Sequence, residues 1–211
     1  QKSPHFRPEN KAKVRALVLS LAAGVSEPDS KAIDFGCGTG FMIDLMKDLF
    51  GEVHGVDITL AMMNEVDLSS GNVFLHEATA EQVPFAEGSF DFATAYSFMD
   101  HLFNAGDFLE EVYRVLKPGG VFFSGLNPNR DFIAAMEGAE HRAVTAVSPT
   151  VAREIKGALH NGDYYAENFG VDGIMLDRAE PIKALQKGFD AKELHDLALS
   201  IGFSTCRIDY D

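Results

Sequence analysis

The residues best placed to do chemistry begin with the run Asp34-Phe35-Gly36-Cys37-Gly38-Thr39-Gly40 and continue with Asp57, twenty-three positions after Asp34. Glycines at that spacing let a ligand approach the backbone closely, and turn N–H groups at the start of a helix can receive an electron-rich group. The dinucleotide pattern G-x-G-x-x-G would need glycine where Phe41 stands, and a phosphate-binding loop would need a Gly-Lys pair followed by Ser or Thr; the sequence has neither. A carboxylate closing the next strand, as Asp57 does, can sit beside ribose hydroxyls at the same sheet edge. Together these features predict a nucleoside-containing ligand. Cys37 lies where backbone shape rather than thiol chemistry is needed. With only Cys206 besides it, and histidines at no recognised ligand spacing, neither a disulfide framework nor a metal site is expected.

The elements that must position these residues are legible in the hydrophobic pattern. A helix is expected over 9–23, after Pro8, with Val14, Leu17, Val18 and Leu21 on one face. Strands are expected at 31–35, 52–57, about 72–76, 90–96 and 121–125. Between them, helices should follow the glycine turn to about Phe50, run from Leu60 to Val66, and start from Asp107 with Glu110 in capping-box spacing. Strands alternating with helices predict an α/β fold: a Rossmann-like three-layer α/β/α sandwich on a mainly parallel sheet. Residues 126–188 break the rhythm and read as a cap or insertion after strand five, with a helix capped by Ser148 that carries Val151, Ile155 and Leu159. An Asp190-capped helix with Leu194, Leu197, Ala198 and Ile201 then leads to a sixth strand, STCRID, at 204–209.

The length, 211 residues, suits a single domain over 1–211, with residues 1–24 as an N-terminal helix region. Hydrophobic residues make up 46% and the net charge is −14, so a real core is affordable and the cationic field that nucleic acids or anionic membranes demand is missing. No window is apolar enough to span a membrane, and the N-terminal residues lack a signal-peptide pattern, so a cytoplasmic location is expected.

The motifs, in order, resemble those of the class I S-adenosylmethionine-dependent methyltransferases. The run Asp34–Gly40 is similar to that family's motif I, and Asp57-Ile58-Thr59 with Met62 to its second-strand signature. Ala80-Glu81-Gln82-Val83-Pro84-Phe85 with Gly88-Ser89-Phe90-Asp91 resembles the approach to strand four, and Arg114-Val115-Leu116-Lys117-Pro118-Gly119-Gly120 the stretch before strand five. The resemblance implies a cofactor, S-adenosylmethionine, with S-adenosylhomocysteine as product. Asp34, Phe35, Gly36, Cys37, Gly38 and Gly40 would border its methionine side, Asp57 the ribose diol, Ile58 and Met62 the adenine face, and Thr79, Ala80 and Glu81 the adenine edge. Thr79 stands where many members carry aspartate. Tyr96 and Ser97 would meet the methionine portion, and family members usually add a seventh strand after the sixth.

For the transfer itself, His101 after strand four is the candidate general base, with a purely structural hydrogen bond as the alternative. Asn127, Arg130, Tyr164 and Tyr165 are candidate substrate contacts, with His141 and His160 behind them. The expected function is methyl transfer to an oxygen or nitrogen, or to a carbon, of a small molecule by a monomer or homodimer. A protein or nucleic-acid methyltransferase and a non-catalytic cofactor-binding interaction protein are the alternatives.

Overall fold

The computed structural model describes residues 7–142, 152, 155, 159 and 179–210. The chain divides into two compact units, one running to Phe98 and resuming over Asn104–Leu126, the other made of Met99–Phe103 and the residues from Asn127 onward.

The first unit is built on five strands: β1 (Lys31–Phe35), β2 (Glu52–Asp57), β3 (Val73–Glu77), β4 (Phe90–Tyr96) and β5 (Leu116–Gly125). They pair in the order β3-β2-β1-β4-β5, every pair parallel, so the strand order reverses beside β1. In sheets of this kind ligands bind at the carboxyl ends of the strands where the order reverses. That is where the glycine turn leaves β1.

Both faces are covered, which gives the expected three layers. On one face α1 (Pro8–Ala22) sends in Val14, Val18 and Ala22, and α2 (Phe41–Met46) sends in Met42, Ile43, Leu45 and Met46, against Ala32, Val53, Val73 and Phe92. Lys11 of α1 pairs with Asp44 of α2, tying the two helices together. On the other face Phe108 of α4 (Ala105–Val115) meets the edge of Phe35, with ring centres 5.2 Å apart. Between α2 and α4 in the chain, α3 is a single turn, Leu60–Met63, shorter than the Leu60–Val66 pattern suggests. The N-cap of α4 is Asn104, which accepts from the Gly106 N–H, so the helix starts before the expected Asp107; that residue instead sits in the first turn, where its charge complements the helix dipole. No separate turn intervenes at Leu116-Lys117-Pro118-Gly119-Gly120: β5 begins at Leu116, straight after the helix.

Two side-chain devices act here, one on the loop from β3 to β4 and one between β2 and β3. Glu111, almost wholly buried on α4, accepts from the Val83 N–H at 2.7 Å and from Arg114 Nε and Nη2 at 2.6 and 2.7 Å. Arg114 Nη1 then donates to the Phe85 carbonyl at 2.8 Å. Burial is the largest influence on Glu111 and would raise its pKa, but the Arg114 hydrogen bonds and the Val83 N–H outweigh it and hold the carboxyl low. At the sheet's β3 side, His54 Nδ1 and His76 Nε2 are 3.0 Å apart with ring centres 5.3 Å apart. That leaves one ring radius on each side, so the rings meet edge to edge. Because Glu52 can only accept, at 3.2 Å, His54 carries its hydrogen on Nε2 and turns Nδ1 toward His76 as an acceptor. Burial keeps both rings below the usual histidine range.

In the second unit, α5 (Arg130–Arg142), α6 (Pro181–Gln186) and α7 (Ala191–Ile201) are joined by a parallel bridge between Asn129 and Phe189. The Asp190 side chain accepts from the Glu193 N–H at 2.9 Å, the cap the sequence predicts. The expected strand at 204–209 does not form: the last backbone hydrogen bond of α7 is from Phe203 to Ala198, and Ser204–Tyr210 join no ladder. A strand exists only by pairing, so β propensity alone does not make one. The helix expected after Ser148 falls largely outside the described residues, though Ile155 and Leu159 are helical.

Replacing Glu111 by alanine strands the Val83 N–H and the Arg114 guanidinium. The expected loss is about 3 kcal/mol in denaturant unfolding, together with faster hydrogen exchange at Val83 and Phe85.

Candidate functional site

The parallel register of β1 with β2, Asp34 beside Gly55 and Phe35 beside Val56, brings the glycine turn against the end of β2. Gly36, Gly38 and Gly40 all have positive φ, at 68°, 51° and 87°. A Cβ on Gly36 would lie 2.0 Å from the Phe98 ring, and one on Gly38 3.2 Å from Met62 Cε. Glycine is therefore required at Gly36 by conformation and by space.

Four N–H groups of this turn are spent inside the protein. Gly36 and Cys37 donate to the Val56 carbonyl at 2.8 and 3.0 Å, and Gly40 to that of Cys37 at 2.8 Å. Gly38 donates to Asp57 Oδ2 at 2.9 Å, while Thr59 donates to Asp57 Oδ1 at 2.8 Å. Those four N–H groups are thus not aimed at a ligand. The turn and Thr59 together fix the Asp57 carboxylate through one bond to each oxygen, leaving each oxygen a further lone pair. Beside it Ile58 and Met62 expose apolar surface, at 69% and 43%. A carboxylate held in one orientation next to uncovered apolar side chains suits a ligand with a hydroxylated and a flat apolar part.

Asp34 is different: it is 2% exposed, and Thr94 Oγ1, itself fully buried on β4, donates to its Oδ1 at 2.7 Å. Its carboxyl is pushed up to about 7, first by burial; the Thr94 hydrogen bond opposes this and the charge of Asp57 adds to it. The same influences, burial foremost and then the charges of Asp34 and Asp57, drive the Cys37 thiol far up, so Cys37 is an inert core side chain. The Phe35 ring likewise belongs to the core, under Phe108.

The other sequence candidates of this unit gather at the carboxyl ends of the strands. Thr79 and Glu81 are exposed and Ala80 is buried just after β3. Tyr96 stacks on Phe41, with ring centres 5.3 Å apart. Ser97 holds a positive φ of 53° and donates its N–H to the Gly125 carbonyl at 2.9 Å, a strained turn of a kind that clusters at functional sites. A hollow of about 280 Å³ lined by Pro28, Lys47, Asp48 and Gly51 lies at the amino ends of β1 and β2 and contains none of these residues. Sequence reading missed Thr94 and Phe98. Nothing local in the strand FDFATAY marks Thr94; its partner Asp34 lies on β1, sixty residues earlier.

His101, Asn127 and Arg130 belong to the second unit. His101 Nδ1 lies 2.7 Å from the Ala179 carbonyl, which can only accept, so Nδ1 carries the hydrogen and, in the neutral ring, Nε2 is the basic nitrogen. Arg130 Nη1 is paired with Glu193 at 3.1 Å and lies 3.9 Å from Asp190, so its charge is met within the protein rather than held out for an anion. Asn127 is partly buried, and His141 stands in the last turn of α5. Tyr164, Tyr165 and His160 lie outside the described residues. Among the described residues, no group of three His, Cys, Asp or Glu side chains could hold a metal ion, and no helix is long and apolar enough to cross a membrane.

Comparison with known proteins places these observations in a context. Residues 33–124 match the family described as "Methyltransferase domain". A ubiquinone biosynthesis O-methyltransferase of Burkholderia orbicola (strain MC0-3) is 34% identical over 120 residues, which are 54% of this chain and 52% of that protein. The chain thus spans about half the length of the curated relatives it matches. Among solved structures, the YcgJ protein of Bacillus subtilis has a TM-score of 0.51 at 24% identity, covering 69% of this chain and 67% of that one. Geranyl diphosphate C-methyltransferase of Streptomyces coelicolor A3(2), solved with Mg²⁺, geranyl diphosphate and S-adenosyl-L-homocysteine, has a TM-score of 0.52 at 18% identity, covering 71% and 60%. These two likenesses show the fold.

Between pH 3.8 and about 7 the folded chain holds a proton on Asp34 that the unfolded chain has released, so this group makes stability fall as pH rises through that window. Asp34→Asn removes the dependence. The variant should be roughly 4 kcal/mol more stable than the parent at pH 8 in denaturant unfolding, an advantage that disappears below pH 4.

Proposed function

With the match of residues 33–124 to a methyltransferase domain as the premise, we propose that this chain is of the class I, S-adenosylmethionine-dependent kind and transfers a methyl group from S-adenosylmethionine to a small molecule, releasing S-adenosylhomocysteine. The observation that carries the reading is Asp57, its carboxylate fixed by the Gly38 and Thr59 N–H groups beside exposed Ile58 and Met62. The residues fit the cofactor. Asp57 has lone pairs for the ribose hydroxyls, Ile58 and Met62 offer an apolar face for adenine, and Thr79, Ala80 and Glu81 stand where its edge would be read. Asp34 supplies a negative field, directly or through water, for the ammonium of the methionine portion. Tyr96 and Ser97 complete that side. When bound, the cofactor supplies an electrophilic methyl group on a sulfonium.

A methyl transfer of this kind needs in-line placement and exclusion of water more than a covalent enzyme intermediate. The acceptor must lose a proton as its new bond to carbon forms. His101, with its hydrogen fixed on Nδ1 by Ala179, offers Nε2 to take that proton. Oxygen is the favoured acceptor atom, because the 34% identical relative is named as an O-methyltransferase. A small molecule is favoured over nucleic acid by the net charge of −14. Asn127 remains a candidate substrate contact; Arg130 is a weaker one, being already paired with Glu193.

The test is transfer of label from methyl-labelled S-adenosylmethionine to a panel of phenols, catechols and small amines, with tRNA and mixed peptides in parallel. Label should enter a phenolic or catecholic compound. His101→Gln should lower kcat by about 100-fold while leaving cofactor affinity within about twofold. Label in nucleic acid or peptide alone would replace the substrate assignment, and full turnover in His101→Gln would remove His101 as the base.

A further inference from the structure

Asp34 is a carboxylate that the fold would rather keep neutral. It is 2% exposed, and the titratable groups facing it are the Asp57 carboxylate on β2 and the Cys37 thiol in the turn, neither of which can supply a positive charge. Its hydrogen-bonding neighbour is Thr94. The hydroxyl has one hydrogen and three acceptors within range: Asp34 Oδ1 at 2.7 Å, the Ile33 carbonyl at 3.5 Å and Met46 Sδ at 3.9 Å. Only the first distance is that of a strong O–H···O bond, so the hydrogen goes to Asp34.

The arrangement distinguishes the two protonation states of the carboxyl. Ionised Asp34 accepts a short, charge-assisted bond from Thr94. Protonated Asp34 gains less: with its proton on Oδ2 it accepts only a weaker neutral bond at Oδ1, and if it donates to Oγ1 instead the threonine hydrogen must swing to a carbonyl at 3.5 Å or a thioether at 3.9 Å. The hydroxyl therefore selects the anion against burial and against the charge of Asp57. It also fixes which carboxylate oxygen is engaged at the end of β1.

We propose that Thr94 is a positioning residue whose hydroxyl holds Asp34 ionised and oriented, and that through Asp34 it governs affinity for the cationic cofactor near neutral pH. The affinity half rests on the cofactor reading above; the effect on Asp34 does not. Thr94 itself touches no ligand in this scheme. Its β-branched methyl packs in the core as a valine would, which separates packing from hydrogen bonding in a single substitution.

The experiment compares the parent protein with Thr94→Val, which keeps the shape and loses the hydroxyl, and Thr94→Ser, which keeps the hydroxyl and loses a methyl. Calorimetric titration with S-adenosylhomocysteine from pH 5.5 to 8.5 gives the ratio of variant to parent affinity at each pH, in which the ligand's own ionisation cancels. Carbon NMR of the Asp34 carboxyl in the ligand-free proteins gives its titration directly. Thr94→Val should move the Asp34 midpoint upward by about one pH unit, since loss of one charge-assisted hydrogen bond is of that size. Its affinity should be about fivefold weaker near pH 7 and about tenfold weaker at pH 5.5, with the gap closing by pH 8.5. Thr94→Ser should keep the parent midpoint. An Asp34 midpoint unmoved in Thr94→Val overturns the inference whether or not ligand binds, and so does an affinity loss equal at every pH. If the parent binds no S-adenosylhomocysteine while the Asp34 midpoint moves as expected, the cofactor reading and the affinity half fall together, and the control of Asp34 by Thr94 stands.

Discussion

The structure turns on a carboxylate that is costly to ionise. Asp34 sits in the core one residue before the end of β1, where burial and the neighbouring charge of Asp57 push its carboxyl up to about 7, and a single threonine hydroxyl opposes them. A chain selected for stability alone would place an amide or an apolar side chain there. Retaining an acid makes sense when a positively charged group is to be held nearby, because the field that destabilises the ligand-free protein is the field that attracts a cation. The acidity of the whole chain is compatible with the same requirement.

From that constraint the rest follows outward. The parallel pairing of β1 with β2 puts Asp57 within reach of the glycine turn, and the turn answers by donating the Gly38 N–H to it. The positive φ values of Gly36, Gly38 and Gly40 let the chain leave β1 and enter α2 within a few residues, with the Phe98 ring lying where a Gly36 side chain would be. On the opposite face Glu111 and Arg114 pin the Val83–Phe85 segment, so the loop carrying Thr79, Ala80 and Glu81 is anchored at its far end. The motif over residues 114–120 has a similar part: Lys117 Nζ binds both oxygens of Asp91 at 2.9 and 2.8 Å, and Asp91 also accepts from the Lys31 N–H at 2.8 Å, joining β5, β4 and β1. These residues shape the edge without touching a ligand.

Much of this was legible in the amino-acid order. The strands at 31–35, 52–57 and 90–96 lie where alternation and β-branched residues put them, because their side chains face two covered layers. The Asp190 cap was readable because an Asp three residues before a Glu has a local hydrogen-bonding logic. Features that depend on distant partners were not. Ser204–Asp209 has the composition of a strand but joins no ladder, and α5 was hidden behind the turn-like Asn127-Pro128-Asn129, although the Asn129 side chain accepts from the Phe132 N–H at 3.0 Å as a cap would. Thr94 looked like an ordinary strand residue until β4 was seen beside β1. The N–H groups of the glycine turn looked available until the Val56 carbonyl and Asp57 proved to take them.

The central claim is that Asp57, fixed by the turn, grips the ribose of an S-adenosyl cofactor. Its most direct test is calorimetry at pH 8 with S-adenosylhomocysteine on the parent protein and on Asp57→Ala. The account predicts one site per chain in the parent and an affinity about 10- to 100-fold weaker in the variant. Equal affinity in the two proteins, or no binding to the parent, would contradict it.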